Sequence, residues 1–287
     1  MNAKIVILGS TGMLGHKVVN YLDEHTKYNI FNIAYRTKLN ENTILVNARK
    51  EEELIQAIKE LNPAIIINCM GVLISGADKD PENAIYINSY IPQRLKRLAD
   101  DISAKLIHIS TDCVFSGEKG KYIENDEQDG KDIYAKTKSL GEINDGKHLT
   151  IRTSIIGPEL KKSGEGLFHW FMSQEGEING FTQSVWSGVT TLELAKAIKW
   201  VIENDIVGLY HITNNEVINK YELLCLFKKA TKKKIAIKPV PGKKVDKSLI
   251  DTRKEINYII PRYEDMISEM ISSIKKSKEL YSRYNIS

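Results

Sequence analysis

Cysteine is scarce in this 287-residue chain: Cys69, Cys113 and Cys225 are far apart and odd in number. That excludes a disulfide framework and the paired spacing of a zinc site, and a reducing cytoplasm is the expected setting. Long apolar runs are also missing. The longest, such as residues 64–67, are strand-sized and far short of a bilayer span, and no secretory signal precedes Lys4, so no membrane partner is expected. None of the six histidines, His108, His169 and His211 included, forms an i,i+4 metal-binding couple. Excess charge is small as well: +4 is too little to imply nucleic acid as a partner. The basic surplus gathers between residues 228 and 247, where it reads as a solvated face with room for an anionic small ligand. There is neither an internal repeat nor a low-complexity linker. What is present, 42% hydrophobic and 27% charged residues, is the composition of a globular chain. Its length suffices for one large domain or two smaller ones with a core that needs no staples.

An apolar, β-branched run begins at Lys4 and ends in Gly9-Ser10-Thr11-Gly12-Met13-Leu14-Gly15, after which Val18, Val19 and Leu22 recur with helical period. A strand, glycine turn and helix in this order bring backbone amides and a positive helix end close to a diphosphate. Gly9 permits the tight turn, Gly12 the approach of phosphate, and Gly15 the packing of helix on sheet. Thr11, Met13 and Leu14 lie within the same cradle. The second strand, about 30–35, ends at Arg36 with no carboxylate beside it, which favours the 2′-phosphate of NADP over the free ribose of NAD. NAD remains open as an alternative.

Further apolar strands near 44–46 and 64–68 alternate with an amphipathic helix at 51–61. That alternation predicts a doubly wound parallel α/β sheet of Rossmann type, with ligands across the strand carboxyl ends. Asn47, near the adenine, and Cys69, Met70 and Gly71 are then candidate cofactor contacts, with strand-end packing as the plainer alternative. A helix over 81–100 carries Asn88, and a fifth strand at 105–109 delivers Ser110-Thr111-Asp112-Cys113-Val114. Alternation along a strand sends only one of the Ser110 and Thr111 hydroxyls into the cleft.

Of the thirteen tyrosines, Tyr134 alone has a lysine four residues on, Lys138. On a helix the two share a face, so a phenolic acid and a cation can meet one ligand. The cation is expected to lower the phenol's pKa towards the working pH. A packed tyrosine beside a solvated lysine is the bland alternative for such a pair.

Together the glycine triple, Ser110-Thr111-Asp112-x-Val114-Phe115-x-Gly117, Tyr134-x-x-x-Lys138 with Gly141-Glu142, and Ile151-Arg152-Thr153-Ser154 resemble the extended short-chain dehydrogenase/reductases, in particular the dTDP-4-dehydrorhamnose reductase family. The resemblance implies Thr111, Tyr134 and Lys138 as catalytic residues, with Lys138 also on the cofactor. It places Asp112 beside the substrate and makes Asn88 similar to an asparagine that positions the lysine through water. Cys113 departs from the tyrosine usual in that family, and residues 183–191 are a loose version of its Gly-x-Pro-Thr segment. The implied activity is NADPH-dependent reduction of the C4 keto group of a nucleotide-linked 4-keto-6-deoxy sugar for a surface polysaccharide; the two departures leave the nucleotide open between dTDP and UDP and the C2 group between hydroxyl and acetamido. The implied partner is a nucleotide-diphosphate sugar.

Residues 1–155 with 186–213 are expected to form the cofactor domain, and 156–185 with 214–287 a smaller α/β substrate-binding cap. Phe168, Trp170, Phe171 and Trp186 are candidates to stack on nucleobase or sugar, with cap core as the alternative. Trp186 joins Asp112, Cys113 and Val114 as a candidate substrate contact, and Lys247, Ser248 and Arg253 are candidates for the diphosphate. A helix over 263–284 closes the chain. No acidic cluster suggests a metal, and a homodimer is left open. Two other functions fit the same fold: an epimerase or dehydratase that keeps NAD bound, and a non-catalytic NADP-binding regulatory subunit.

Overall fold

Apolar runs of four to six residues, Lys4–Leu8 (β1), Asn29–Ala34 (β2), Ile65–Asn68 (β4), Lys105–Ile109 (β5), Leu149–Arg152 (β6) and Gly208–His211 (β11), are buried on both faces and pair in parallel. With Thr43–Leu45 (β3) they form one seven-stranded sheet in the order β11-β6-β5-β4-β1-β2-β3. The order reverses at β1, and such a switch point leaves a crevice at the strand carboxyl ends. The structure, a computed structural model, describes residues 2–254 and 257–286. The expected Rossmann-type class is the observed one.

Helices cover the sheet. Gly15–His25 (α1) lies on one face with Thr191–Glu203 (α8), and Glu51–Leu61 (α2) supplies Leu54 and Ile58 to the other. A short helix Ile74–Lys79 (α3) leads into Pro81–Ile85 (α4), whose start is held by the Asp80 side chain accepting from Asn83 N at 3.0 Å. The single helix expected over 81–100 is interrupted by a π turn at Tyr86–Tyr90 before Ile91–Asp101 (α5) resumes. Such turns insert one residue and break the ladder, and they gather at functional sites. Here the turn carries Asn88. Ile133–Leu140 (α6) is capped by Asp132, which accepts from Ala135 N at 2.7 Å.

Beyond β6 come Ile155–Ile156 (β7), Leu167–Ser173 (α7), Glu177–Phe181 (β8), Ser184–Trp186 (β9) and Val189–Thr190 (β10). Later elements are Ile218–Asn219 (β12), Lys220–Thr231 (α9), Ala236–Val240 (β13), Val245–Asp246 (β14) and Tyr263–Lys276 (α10). They build small sheets, β12-β9-β14, β13-β8 and β10-β7. One apolar cluster runs through Ile5, Ile151, Phe168, Phe171, Met270 and Tyr281, so these later elements share the core of the main sheet. α10 ends at Lys276, short of the expected 284, and separate turns close on Tyr281 and Tyr284.

Candidate active site

The glycine loop is tight because three backbone segments converge on it. Gly9 has φ of +78°, and a Cβ there would lie 3.1 Å from the Cys69 backbone; a Cβ on Gly15 would lie 2.2 Å from the Gly9 carbonyl oxygen. Only glycine tolerates both demands. No side chain caps α1, and the amides of Thr11, Met13 and Leu14 make no hydrogen bond among the described residues. Unbonded amides at the positive end of a helix, with no Cβ in the way, fit an anionic group. Leu14 itself is buried in the core, so only its backbone faces this cradle.

At the neighbouring strand ends, Met70 N donates to Asn68 Oδ1 at 3.1 Å, and burial pushes the Cys69 thiol up to about 12. Cys69 is therefore an inert neutral group at this wall. Arg36 is exposed just after β2, its guanidinium 4.4 Å from the centre of the Tyr35 ring. Asn47 follows β3 and accepts from Arg49 N at 3.1 Å through Oδ1.

Thr111, Tyr134 and Lys138 are all buried at the carboxyl end of β5. Lys138 Nζ donates to the Ile109 carbonyl at 2.7 Å, while Thr111 donates to Asp112 Oδ1 at 3.0 Å and receives Cys113 N at 3.1 Å. Burial pushes the Tyr134 phenol above its ordinary value, with the Cys113 thiol adding to the effect and the Thr111 hydroxyl opposing it. This reverses the expected sign: desolvation of the phenolate sets the direction, and the Lys138 ammonium is turned to Ile109. Burial also lowers Lys138 to about 8, with the charge of Glu142 working against the drop. Asp112 is raised, chiefly by burial, and the charge of Lys247 opposes the rise.

Behind these residues stands a polar cluster to which the sequence assigned no role. Glu142 accepts from Ser110 Oγ at 2.5 Å and from Arg152 Nη2 at 2.7 Å, both of its partners being buried. Ser110 thus points to the cluster while Thr111 stays by the phenol. Asn88 clamps the Val72 backbone at 2.8 and 3.0 Å and reaches Thr137 Oγ1 at 3.2 Å. It acts on α6 through the neighbour of Lys138, and Gly71 packs beside its amide.

Two candidate substrate contacts are placed elsewhere. Val114 is packed with Phe115, Tyr122 and Leu249 in a small core, and Trp186 is buried against Tyr263 with its Nε1 donating to Ser154 Oγ at 2.8 Å. Apolar surface is better buried than held open, so both placements have one cause. Phe168 and Phe171 are fully buried core, whereas Trp170 stays half-exposed. Cys113 is half-buried, its thiol pushed up to about 12 by burial.

A cleft of about 1010 Å³ opens beside the N-cap of α6, lined by residues 115–119, 130–132 and 243–247 with Gln183 and Val185. Lys119 and Lys131 at its edge are paired with Asp126 and Glu118. Lys243, Lys244 and Lys247 form no ion pair among the described residues. The structure therefore brings Lys247 towards Asp112, while Arg253 turns to Asn125 and Ser248 receives Lys121 N. Among the described residues no group of His, Cys, Asp and Glu is arranged to hold a metal, and no helix is long and apolar enough to cross a membrane.

Comparison with known proteins adds to this geometry. A family model described as the RmlD substrate binding domain matches residues 3–255. Methionine adenosyltransferase 2 subunit beta of Xenopus laevis is 25% identical over 236 residues, covering 77% of this chain and 70% of that protein. The dTDP-4-dehydrorhamnose reductase of Escherichia coli is 25% identical over 255 residues, covering 78% and 84%. The crystal structure of dTDP-4-dehydrorhamnose reductase from Bacillus anthracis, in complex with NADP, superposes with a TM-score of 0.80 at 22% identity over 95% of this chain and 100% of that one.

Proposed function

The chain belongs to the RmlD substrate binding domain family, and on that premise we propose that it is an NADPH-dependent reductase of the C4 keto group of a nucleotide-linked 4-keto-6-deoxy sugar. The sugar is dTDP-4-dehydrorhamnose or a UDP-linked analogue with hydroxyl or acetamido at C2, made for a surface polysaccharide. The observation that carries this reading is the joint burial of Thr111, Tyr134 and Lys138 at the end of β5, next to a glycine loop suited to a diphosphate. In this reading residues 1–155 with 186–213 hold the cofactor and 156–185 with 214–287 the sugar nucleotide.

The glycine loop and the amides of Thr11, Met13 and Leu14 take the diphosphate of NADPH, Arg36 its 2′-phosphate and Asn47 its adenine. Residues 69–71 and Lys138 border its nicotinamide half. When bound, NADPH supplies the two-electron reducing chemistry at the carbonyl carbon. Tyr134 protonates the carbonyl oxygen, and Thr111 hydrogen-bonds that oxygen as its charge grows. Because burial raises the phenol, Tyr134 carries its proton at neutral pH, the state required of an acid. Asp112 and Cys113 border the sugar, and Lys243, Lys244 and Lys247, without ion-pair partners among the described residues, suit its diphosphate.

The test is loss of the reduced-nicotinamide absorbance in parallel assays with dTDP-linked and UDP-linked 4-keto-6-deoxy sugars, with NADH as control. Oxidation with one sugar alone names the nucleotide. A second reading, an NADP-binding regulatory subunit, is favoured by the likeness to a protein named as a subunit of methionine adenosyltransferase. Tight NADPH binding without turnover on any of these sugars, with a partner enzyme co-purifying, supports that reading instead.

A further inference from the structure

His16, the second residue of α1, is fully buried with both ring nitrogens engaged. Nδ1 lies 2.7 Å from the Gly12 carbonyl oxygen and Nε2 lies 2.7 Å from the Tyr281 hydroxyl. A carbonyl oxygen only accepts, so Nδ1 carries the proton; the neutral ring must then accept at Nε2, and the Tyr281 hydroxyl donates. Burial holds His16 down to about 4, so this arrangement persists throughout the neutral range. The same carbonyl also receives His16 N at 3.3 Å, and Gly12 N closes the loop on the Gly9 carbonyl at 3.0 Å.

The Gly12–Met13 peptide is planar and trans, so its N–H points away from its C=O. Drawing the Gly12 carbonyl towards His16 turns the Met13 amide the opposite way, and that amide has no partner among the described residues. We infer that His16 and Tyr281 are positioning residues for the anion cradle: Tyr281 orients the His16 ring, His16 anchors Gly12, and the Met13 amide is held ready for a cofactor diphosphate. Tyr281 is itself fixed. It is buried, the Lys17 ammonium sits 5.1 Å from its ring centre, and its amide donates to Ser277 O at 3.1 Å. Three residues on, the Tyr284 hydroxyl receives Glu159 N at 2.9 Å, and Glu159 Oε1 receives Gly166 N at 2.6 Å. A Cβ on Gly166 would stand 3.1 Å from the Met13 sulfur. One short segment beyond α10 therefore braces the glycine loop through His16 and, through the 159–166 loop, the side chain of Met13.

This inference rests on the reading of the glycine loop as a dinucleotide site, and equilibrium titration of NADPH by fluorescence separates the two. Wild type is compared with Tyr281→Phe, His16→Phe and His16→Asn, below the melting temperature of each. Losing one buried hydrogen bond should weaken binding by about threefold to tenfold in Tyr281→Phe, and His16→Phe should lose at least as much. His16→Asn should recover most of the affinity, because its amide nitrogen can occupy the place of Nδ1. In the reductase assay, kcat at saturating NADPH should be retained in Tyr281→Phe while its KM for NADPH rises. Unchanged NADPH affinity in Tyr281→Phe and His16→Phe, with only the melting temperature lowered, overturns the inference and leaves the loop reading intact. Failure of wild type to bind NADPH or NADP overturns both.

Discussion

The ammonium of Lys138 donates to the carbonyl oxygen of Ile109 at 2.7 Å, so the cation of α6 is tied to the last residue of β5, two positions before Thr111. Ser110, between them, is tied in turn to Glu142, four residues beyond Lys138. Strand end and helix are thus cross-braced, which holds the Tyr134 phenol and the Thr111 hydroxyl at one strand end.

Replacing Tyr134 by Phe removes the proposed acid and leaves the ring's packing. NADPH binding by fluorescence should be retained while turnover falls by about 10² to 10⁴. Full turnover in this variant would remove Tyr134 from the mechanism.

Lys138 titrates at about 8, below its ordinary 10.5, and the Glu142 carboxylate is the largest influence holding it up. If the cation is the working form, turnover should decline as pH rises through about 8. Glu142→Gln should move that decline to lower pH, which a merely weakened fold would not do. For stability the sign is opposite. The unfolded chain binds this proton more tightly, so the lysine's contribution improves as pH rises from about 8 towards 10.5.

Arg36 is exposed beyond β2 and free to turn from Tyr35 to a phosphate. Arg36→Glu should raise KM for NADPH by about tenfold or more and leave KM for NADH within about threefold, measured in the same assay. Equal effects on both cofactors would count against a 2′-phosphate at this edge.

Acid should weaken the fold through His16. Its pKa is lowered from 6.5 to about 4, so its favourable contribution is complete above 6.5 and is lost as pH falls through about 4. At 1.36 kcal/mol per unit the effect is ~3 kcal/mol. His211, also lowered to about 4, acts in the same direction, and Asp251, raised to about 6, acts in the opposite one. Thermal melts between pH 7 and pH 4 should therefore show a shallower loss for His16→Asn than for wild type; parallel slopes would remove His16 as a source.

Lys243, Lys244 and Lys247 line the cleft without ion-pair partners among the described residues. Replacing all three by Ala should raise KM for the sugar nucleotide by about tenfold or more, with kcat changed by less than about threefold. An unchanged KM would move the substrate diphosphate elsewhere.

The sequence by itself determined the sheet. Ile5, Ile7, Ile66 and Ile67 lie in unbroken apolar runs that can only be buried on both faces, and the helices between them leave a parallel order as the solution. The glycine loop was legible for the same reason, because the backbone at Gly9 and Gly15 excludes any side chain. The spacing from Tyr134 to Lys138 was equally local, since one helical turn decides which residues share a face.

Tertiary structure decided what those neighbours do. The sign of the Tyr134 shift came from desolvation by surrounding segments, which spacing along a helix does not contain. Val114 and Trp186 went to the core because Leu249 and Tyr263, far along the chain, arrive to cover them. Glu142 met Ser110 and Arg152, and His16 met Tyr281, across separations of 32, 10 and 265 residues. Local pattern records which face of an element is apolar; which distant side chain completes a buried polar group is settled only when the whole chain has packed.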